Sequence, residues 1–181
     1  AGDCYSKSNN PVRAAECYER AGEFYGAGFA LAHAGKWESA IPLLQRVPEN
    51  HPNYAQSRAL LGRCFYELHD FERCAATLEN YLTGERVRTS NIEYFWMLAL
   101  AYEQCGELEK SRQILLKVQS VNVGFRDVGT RLSNIESRIS LMHEHGDILA
   151  RSGVHSAVPA NRGTDAATQV MSMVEQASGN R

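Results

Sequence analysis

Five cysteines, six histidines and a scatter of acidic residues are the side chains that could do chemistry in this chain. Their spacing does not assemble them. Cys4, Cys17, Cys64, Cys74 and Cys105 contain no C-x-x-C pair, and their number is odd. That argues against a zinc site or a disulfide framework and suits a reducing compartment. His143 and His145 are two residues apart. On a helix they point in different directions, whereas a metal-holding pair would be four apart. Gly26 and Gly28, in the run YGAGFAL, follow no strand-like segment and open no phosphate loop. Ser, His and Asp occur without a nucleophile elbow. We therefore expect no enzyme: no catalytic residues, no metal site and no cofactor.

Composition narrows the remaining classes. The 181 residues are 44% hydrophobic and 22% charged, which is enough apolar material for one sizeable domain or a short repeat array. The 19 basic and 21 acidic residues leave a formal net charge of -2, so no bulk charge favours nucleic acid or an anionic membrane as partner. No apolar run approaches the roughly 18 to 20 residues of a membrane span. Ala1 to Asn10 is polar and lacks the apolar centre of a secretory signal. The expected location is cytoplasmic.

The elements that would position any binding residues come from a repeated pattern. In the stretch Phe24–Pro52, Phe24, Ala27-Gly28 and Leu31 lie on one short helix, Gly35 is a turn, Ala40, Leu44 and Val47 lie on a second helix, and Pro52 closes the unit. A second copy has Leu61-Gly62, Phe65, a His69-Asp70 turn, then Cys74, Leu78 and Tyr81; Gly62 follows Gly28 by 34 residues. A third has Phe95, Leu98-Ala99, Tyr102, Gly106, Ser111, Leu115 and Val118. Gly106 follows His69 by 37 residues, so about three are inserted, within Thr83 to Asn91. Gly2, Tyr5, Ala14, Tyr18 and Ala21 match the later part of a further copy whose front is missing, with a tight connection over Ala21 to Phe24.

Small residues at Gly28, Ala27, Ala40 and Ala99 let helices cross closely, and large ones at Leu44, Phe65, Leu78, Tyr102 and Leu115 fill the space that remains. One such unit cannot bury its own apolar face, so neighbours must stack. By these residues the chain resembles the tetratricopeptide repeat family over roughly 1–118. The resemblance implies an all-α fold, an α-solenoid of helix-turn-helix repeats whose first helices line a concave surface. The units are then a partial repeat at 1–22 and repeats at 23–54, 55–88 and 92–122. A capping helix follows at 124–145, with a linker and flexible tail at 146–181.

The capping helix, Phe125 to His145, carries Phe125, Val128, Leu132, Ile135, Ile139 and Met142 at alternating spacings of three and four. Such a stripe seals the last repeat or pairs two chains. Gly146 ends it. Residues 152–163 read as a linker, and Thr164 starts a short helix with Ala167, Val170, Met171, Val174 and Ala177 on one face.

In the family, ligands lie along fixed places on each first helix. The resemblance therefore implies a partner site at Tyr25, Phe29 and His33; at Gln56, Arg63, Tyr66 and Glu67; and at Glu93, Trp96, Leu100 and Glu103. Some members grip a C-terminal carboxylate with Lys and Asn at these places, and that clamp is absent here. What remains is an aromatic floor of Tyr25, Phe29, Tyr66 and Trp96, the residue types of interface anchors. It suits a protein or peptide segment such as an amphipathic helix, with basic residues meeting Glu67, Glu93 and Glu103. The expected function is a non-enzymatic protein-protein interaction module, a piece of a larger scaffold. The alternatives are an assembly element that uses the 125–142 stripe or the tail for self-association, and a regulatory domain of an attached enzyme or small GTPase effector.

Overall fold

The computed structural model describes residues 10–151, with side chains to His145, and every regular element among them is a helix. They are α1 (Pro11–Arg20), α2 (Phe24–His33), α3 (Trp37–Gln45), α4 (Tyr54–Glu67), α5 (Phe71–Leu82), α6 (Ile92–Gln104), α7 (Leu108–Val121) and α8 (Val128–Arg151). Gly2, Tyr5, Cys4 and the expected linker and helix at 152–177 lie outside the described residues. Contacts divide the chain into a unit Ala1–Leu141 and a unit Met142–Arg181; the repeats belong to the first.

The two helices of each hairpin pack against one another, and their turns are made the same way. At the turns after α2, α4 and α6, one residue takes a positive φ: Gly35 at 69°, His69 at 58° and Gly106 at 81°. The next amide then closes a hydrogen bond five residues back. Lys36 N donates to Leu31 O at 2.9 Å, Asp70 N to Phe65 O at 2.9 Å, and Glu107 N to Tyr102 O at 2.8 Å. This is the Schellman arrangement, which satisfies carbonyls at a helix end. The turn between α1 and α2 repeats it, with Gly22 at φ 78° and Glu23 N donating to Tyr18 O at 2.9 Å. The tight connection expected over Ala21 to Phe24 is therefore a hairpin turn of the same kind as those inside the repeats.

Within each hairpin the small and large positions meet. A Cβ built on Gly28 would come within 2.7 Å of Leu44, and one on Gly62 would come closer still to Leu78. Ala99 and Leu115, at the same spacing in the third hairpin, are both fully buried. The first helices α2, α4 and α6 also touch in succession, so they share one face of the array. Arg58 of α4 ties neighbouring hairpins by donating to the Leu44 carbonyl at the end of α3. The insertion before α6 is pinned by buried Asn91, whose side chain accepts from Arg88 N at 2.7 Å and donates to Arg86 O at 3.0 Å.

The last helix differs from its expected span at both ends. It begins at Val128, not Phe125, because Arg126 takes a φ of 47°, outside the helical range. It passes through Gly146 to Arg151; a glycine inside a helix costs only about 1 kcal/mol and does not by itself stop one.

Candidate partner-binding surface

The face built by α2, α4 and α6 carries the expected site residues, and they fall into two groups. On α2 the rings of Tyr25, Phe29 and His33 follow one another at successive helical turns. Tyr25 and Phe29 centroids are 6.0 Å apart, and Phe29 and His33 centroids 4.2 Å apart. Phe29 is 43% exposed, an unusual value for a large apolar ring on an otherwise packed array. Together with Tyr18 and Ala30 the three rings line a cavity of about 520 Å³. Burial raises the Tyr25 phenol above its ordinary value, so it stays a neutral donor.

On α4, Gln56 and Arg63 are exposed and Tyr66 is half-buried against Phe71, ring centroids 6.0 Å apart. Arg63 pairs with Glu67 at 3.7 Å. Arg63, Tyr66 and Glu67, with Glu93, Trp96 and Arg126, line a second cavity of about 320 Å³, and Gln56 lies outside it. Burial raises the Tyr66 phenol, opposed by the positive charges of Arg126 and Arg131.

The third part of the expected floor is covered by the chain itself. Trp96 is only 2% exposed, so it is a core residue and not an accessible anchor. Phe125 stands edge-on to its ring at 5.8 Å, and the guanidinium groups of Arg126 and Arg131 lie 5.8 and 5.5 Å from its centroid. Glu93 is paired with Arg126. Glu103 accepts from Arg131 at 2.9 Å and from Arg138 at 3.0 Å. Leu100 between them is half-buried. The basic groups expected from a partner at Glu67, Glu93 and Glu103 are thus supplied by Arg63, Arg126, Arg131 and Arg138 of the same chain.

The cover is fixed by its apolar side. Val128, Leu132 and Ile135 are at most 5% exposed and belong to the continuous core. Their burial is worth of the order of 5 to 9 kcal/mol in total. The mostly exposed ion pairs add roughly 0 to 1 kcal/mol each. The apolar contribution dominates, so this part of α8 is a seal and not a loosely held strap. Arg126 is the residue that sequence reasoning missed on this face. It sits in a turn, and only its place beside Phe125, at the head of the apolar stripe, hinted that it would return to α6.

The comparisons with known proteins bear on the fold. Residues 31–85 match the family model for the tetratricopeptide repeat. No curated protein matches the sequence. Among solved structures the chain is similar to MamA from Desulfovibrio magneticus RS-1, with 18% identity, 84% of this chain and 93% of that chain covered, and a TM-score of 0.63. A further MamA crystal structure matches at 17% identity over 79% of this chain and 86% of that one, with a TM-score of 0.64. The AMB-1 form of MamA matches at 13% identity, 99% and 94% coverage and a TM-score of 0.64. At these identities the likeness is one of fold alone, an array of packed helices. No helix among the described residues is long and apolar enough to cross a membrane.

Proposed function

We propose that this tetratricopeptide array is a non-enzymatic module that captures a segment of another protein on the face formed by α2 and α4. The observation that carries the reading is the ladder Tyr25, Phe29 and His33, with its exposed Phe29 ring on the first-helix face. Aromatic rings of this kind are the usual anchors of protein interfaces. No group of three or more metal-ligating side chains converges among the described residues, and the buried cysteines are core residues.

Self-association through the 125–142 stripe is the weaker reading. Val128, Leu132 and Ile135 are already buried in their own chain, which leaves Met142 as the stripe's exposed large apolar residue. A cytoplasmic setting fits the unpaired cysteines at 17, 64, 74 and 105.

The test is affinity capture with the intact chain beside its Tyr25→Ala and Phe29→Ala forms, with helicity monitored by circular dichroism. Loss of a specific protein at unchanged helicity supports the reading. The same captured proteins in all three cases would remove this face from consideration.

A further inference from the structure

Arg58 breaks the repeat pattern. Four residues before Gly28, Gly62 and Ala99 stand Phe24, Arg58 and Phe95. Phe95 is buried in the core and Phe24 packs against it. Arg58 places a half-buried guanidinium where those repeats have a ring. Beside it is a cavity of about 470 Å³, whose lining includes Tyr54, Arg58 and Leu61 of α4 and Thr77, Asn80 and Tyr81 of α5. Among the described side chains, the arginines that are not exposed are Arg58, Arg112 and Arg131. Arg112 pairs with Glu109 and Arg131 with Glu103. Arg58 has no carboxylate partner among the described residues. The group is nevertheless fixed in place. Its Nη2 donates to the Leu44 carbonyl, its Nε donates to the buried Ser57 hydroxyl at 3.4 Å, and its Cζ lies 5.0 Å from the Tyr54 ring centroid. These contacts orient the cation without neutralising it, and a charge held partly away from water and uncompensated costs stability.

We infer that Arg58 and this cavity form a carboxylate-binding site, which takes an acidic side chain or a free C-terminus of a protein segment. The Nη1 group of Arg58 has no acceptor among the described residues, and a planar guanidinium matches the two oxygens of a carboxylate. The Asn80 amide and the Thr77 hydroxyl add donors to the same cavity. Tyr54, Leu61 and Tyr81 give it apolar wall for the rest of the bound residue. Tyr81 is itself steadied by Tyr94 of α6, which meets its ring edge-on at 5.6 Å. The site is separate from the first-helix face. At about 100° per residue, Tyr54, Arg58 and Leu61 share one side of α4, whereas Gln56, Arg63, Tyr66 and Glu67 lie on another. It therefore adds a second point of contact that does not depend on the Tyr25, Phe29 and His33 ladder.

Nuclear magnetic resonance of the full chain tests the site, with the Arg58 Nε–H and Asn80 side-chain amide signals as reporters. Phenylacetate, phenylacetamide and phenyl phosphate are titrated at constant ionic strength. The expected result is a saturable shift of both signals by phenylacetate, about tenfold or more tighter than by the amide and no weaker than by the phosphate. Arg58→Phe, which restores the residue of the other two repeats, should keep its helicity by circular dichroism and lose the response. Arg58→Lys should keep the response but weaken it about threefold or more, because an ammonium lacks the planar fork. Phe29→Ala should leave it unchanged, so the outcome is independent of the ladder. Two peptides then identify the source of the carboxylate: a capped one with an internal Phe-Glu pair and one ending in a free Phe. Displacement of phenylacetate by the first supports a side chain, and by the second a chain terminus. If acid and amide bind alike in the native chain, or if Arg58→Phe binds phenylacetate unchanged, Arg58 is a tie between hairpins and the inference falls. Phosphate binding about tenfold tighter than carboxylate would overturn the ligand class. Displacement by neither peptide would overturn the protein segment as its source.

Discussion

Gly28 lies so close under Leu44 that a Cβ on it would stand 2.7 Å from both Cγ and Cδ2 of the leucine. Leu44 is fully buried. Gly28→Ala therefore sets two effects against each other. Helix propensity favours alanine by roughly 1 kcal/mol. Overpacking of a filled core costs about 1 to 3 kcal/mol. We expect net destabilisation, read as a lower denaturation midpoint with an unchanged slope. A midpoint that rises would mean that α2 and α3 can move apart at little cost.

Trp96 shows how far the sequence could be read and where it stopped. The small and large positions that place α2 beside α3 and α4 beside α5 recur at a fixed spacing, so the hairpins were legible from Gly28, Leu44, Gly62 and Leu78 alone. The turns at Gly35, His69 and Gly106 were legible for the same reason. The surroundings of Trp96 were not. They depend on Phe125, Arg126 and Arg131 returning from about thirty residues downstream, and no local pattern encodes where a capping helix lands. Glu93 and Glu103 looked available for the same reason: their partners Arg126, Arg131 and Arg138 stand off the apolar stripe that the sequence shows.

Burial makes Trp96→Ala a stability probe and not a binding probe. Removing a buried tryptophan costs about 3 to 5 kcal/mol, and here it also removes the support of Phe125. Trp96→Phe should be milder. Its loss of volume is partly offset, because the indole Nε1 is buried without an acceptor among the described residues, a defect worth roughly 1 to 3 kcal/mol that phenylalanine lacks. Urea denaturation checks the order: the phenylalanine form should lie between the native chain and the alanine form, nearer the native. Equal losses in both variants would contradict it.

Alkaline pH should weaken the fold through the buried thiols. Burial pushes Cys64 from 9.0 up to about 11 and Cys74 from 9.0 up to about 12. The unfolded chain releases these protons near pH 9, whereas the folded chain holds them, so unfolding releases protons in between. Their contribution is fully present below pH 9 and declines as pH rises toward 11 and 12. Denaturation midpoints at pH 8 and pH 10 should therefore differ, with the lower value at pH 10. Cys64→Ser would confuse this test by burying a hydroxyl, so Cys64→Ala with Cys74→Ala is the right control, and it should flatten the alkaline slope. An unchanged slope in that double variant would assign the loss to other groups, the buried Tyr102 phenol first among them, since burial raises it as well.

Glu103 decides whether the seal over α6 is held in register by charge as well as by apolar burial. Its side chain is 13% exposed and accepts from Arg131 and Arg138, which lie on α8 two turns apart. Glu103→Ala leaves two guanidinium groups without their carboxylate. Arg138 is half-exposed and regains water, but Arg131 is more enclosed, and its remaining charged partner is Asp127 at 3.4 Å. The expected cost is about 1 to 3 kcal/mol, the range for removing one partner of a charged hydrogen bond that is partly shielded from solvent. Glu103→Gln keeps the shape and one acceptor oxygen and should cost less. Amide hydrogen exchange locates the effect. Protection should fall first in α8 around Leu132 and Ile135, while the hairpin of α2 and α3 keeps its rate. Uniform loss across all the helices would instead mean that the array unfolds as one unit, with α8 as much a part of its core as the repeats themselves.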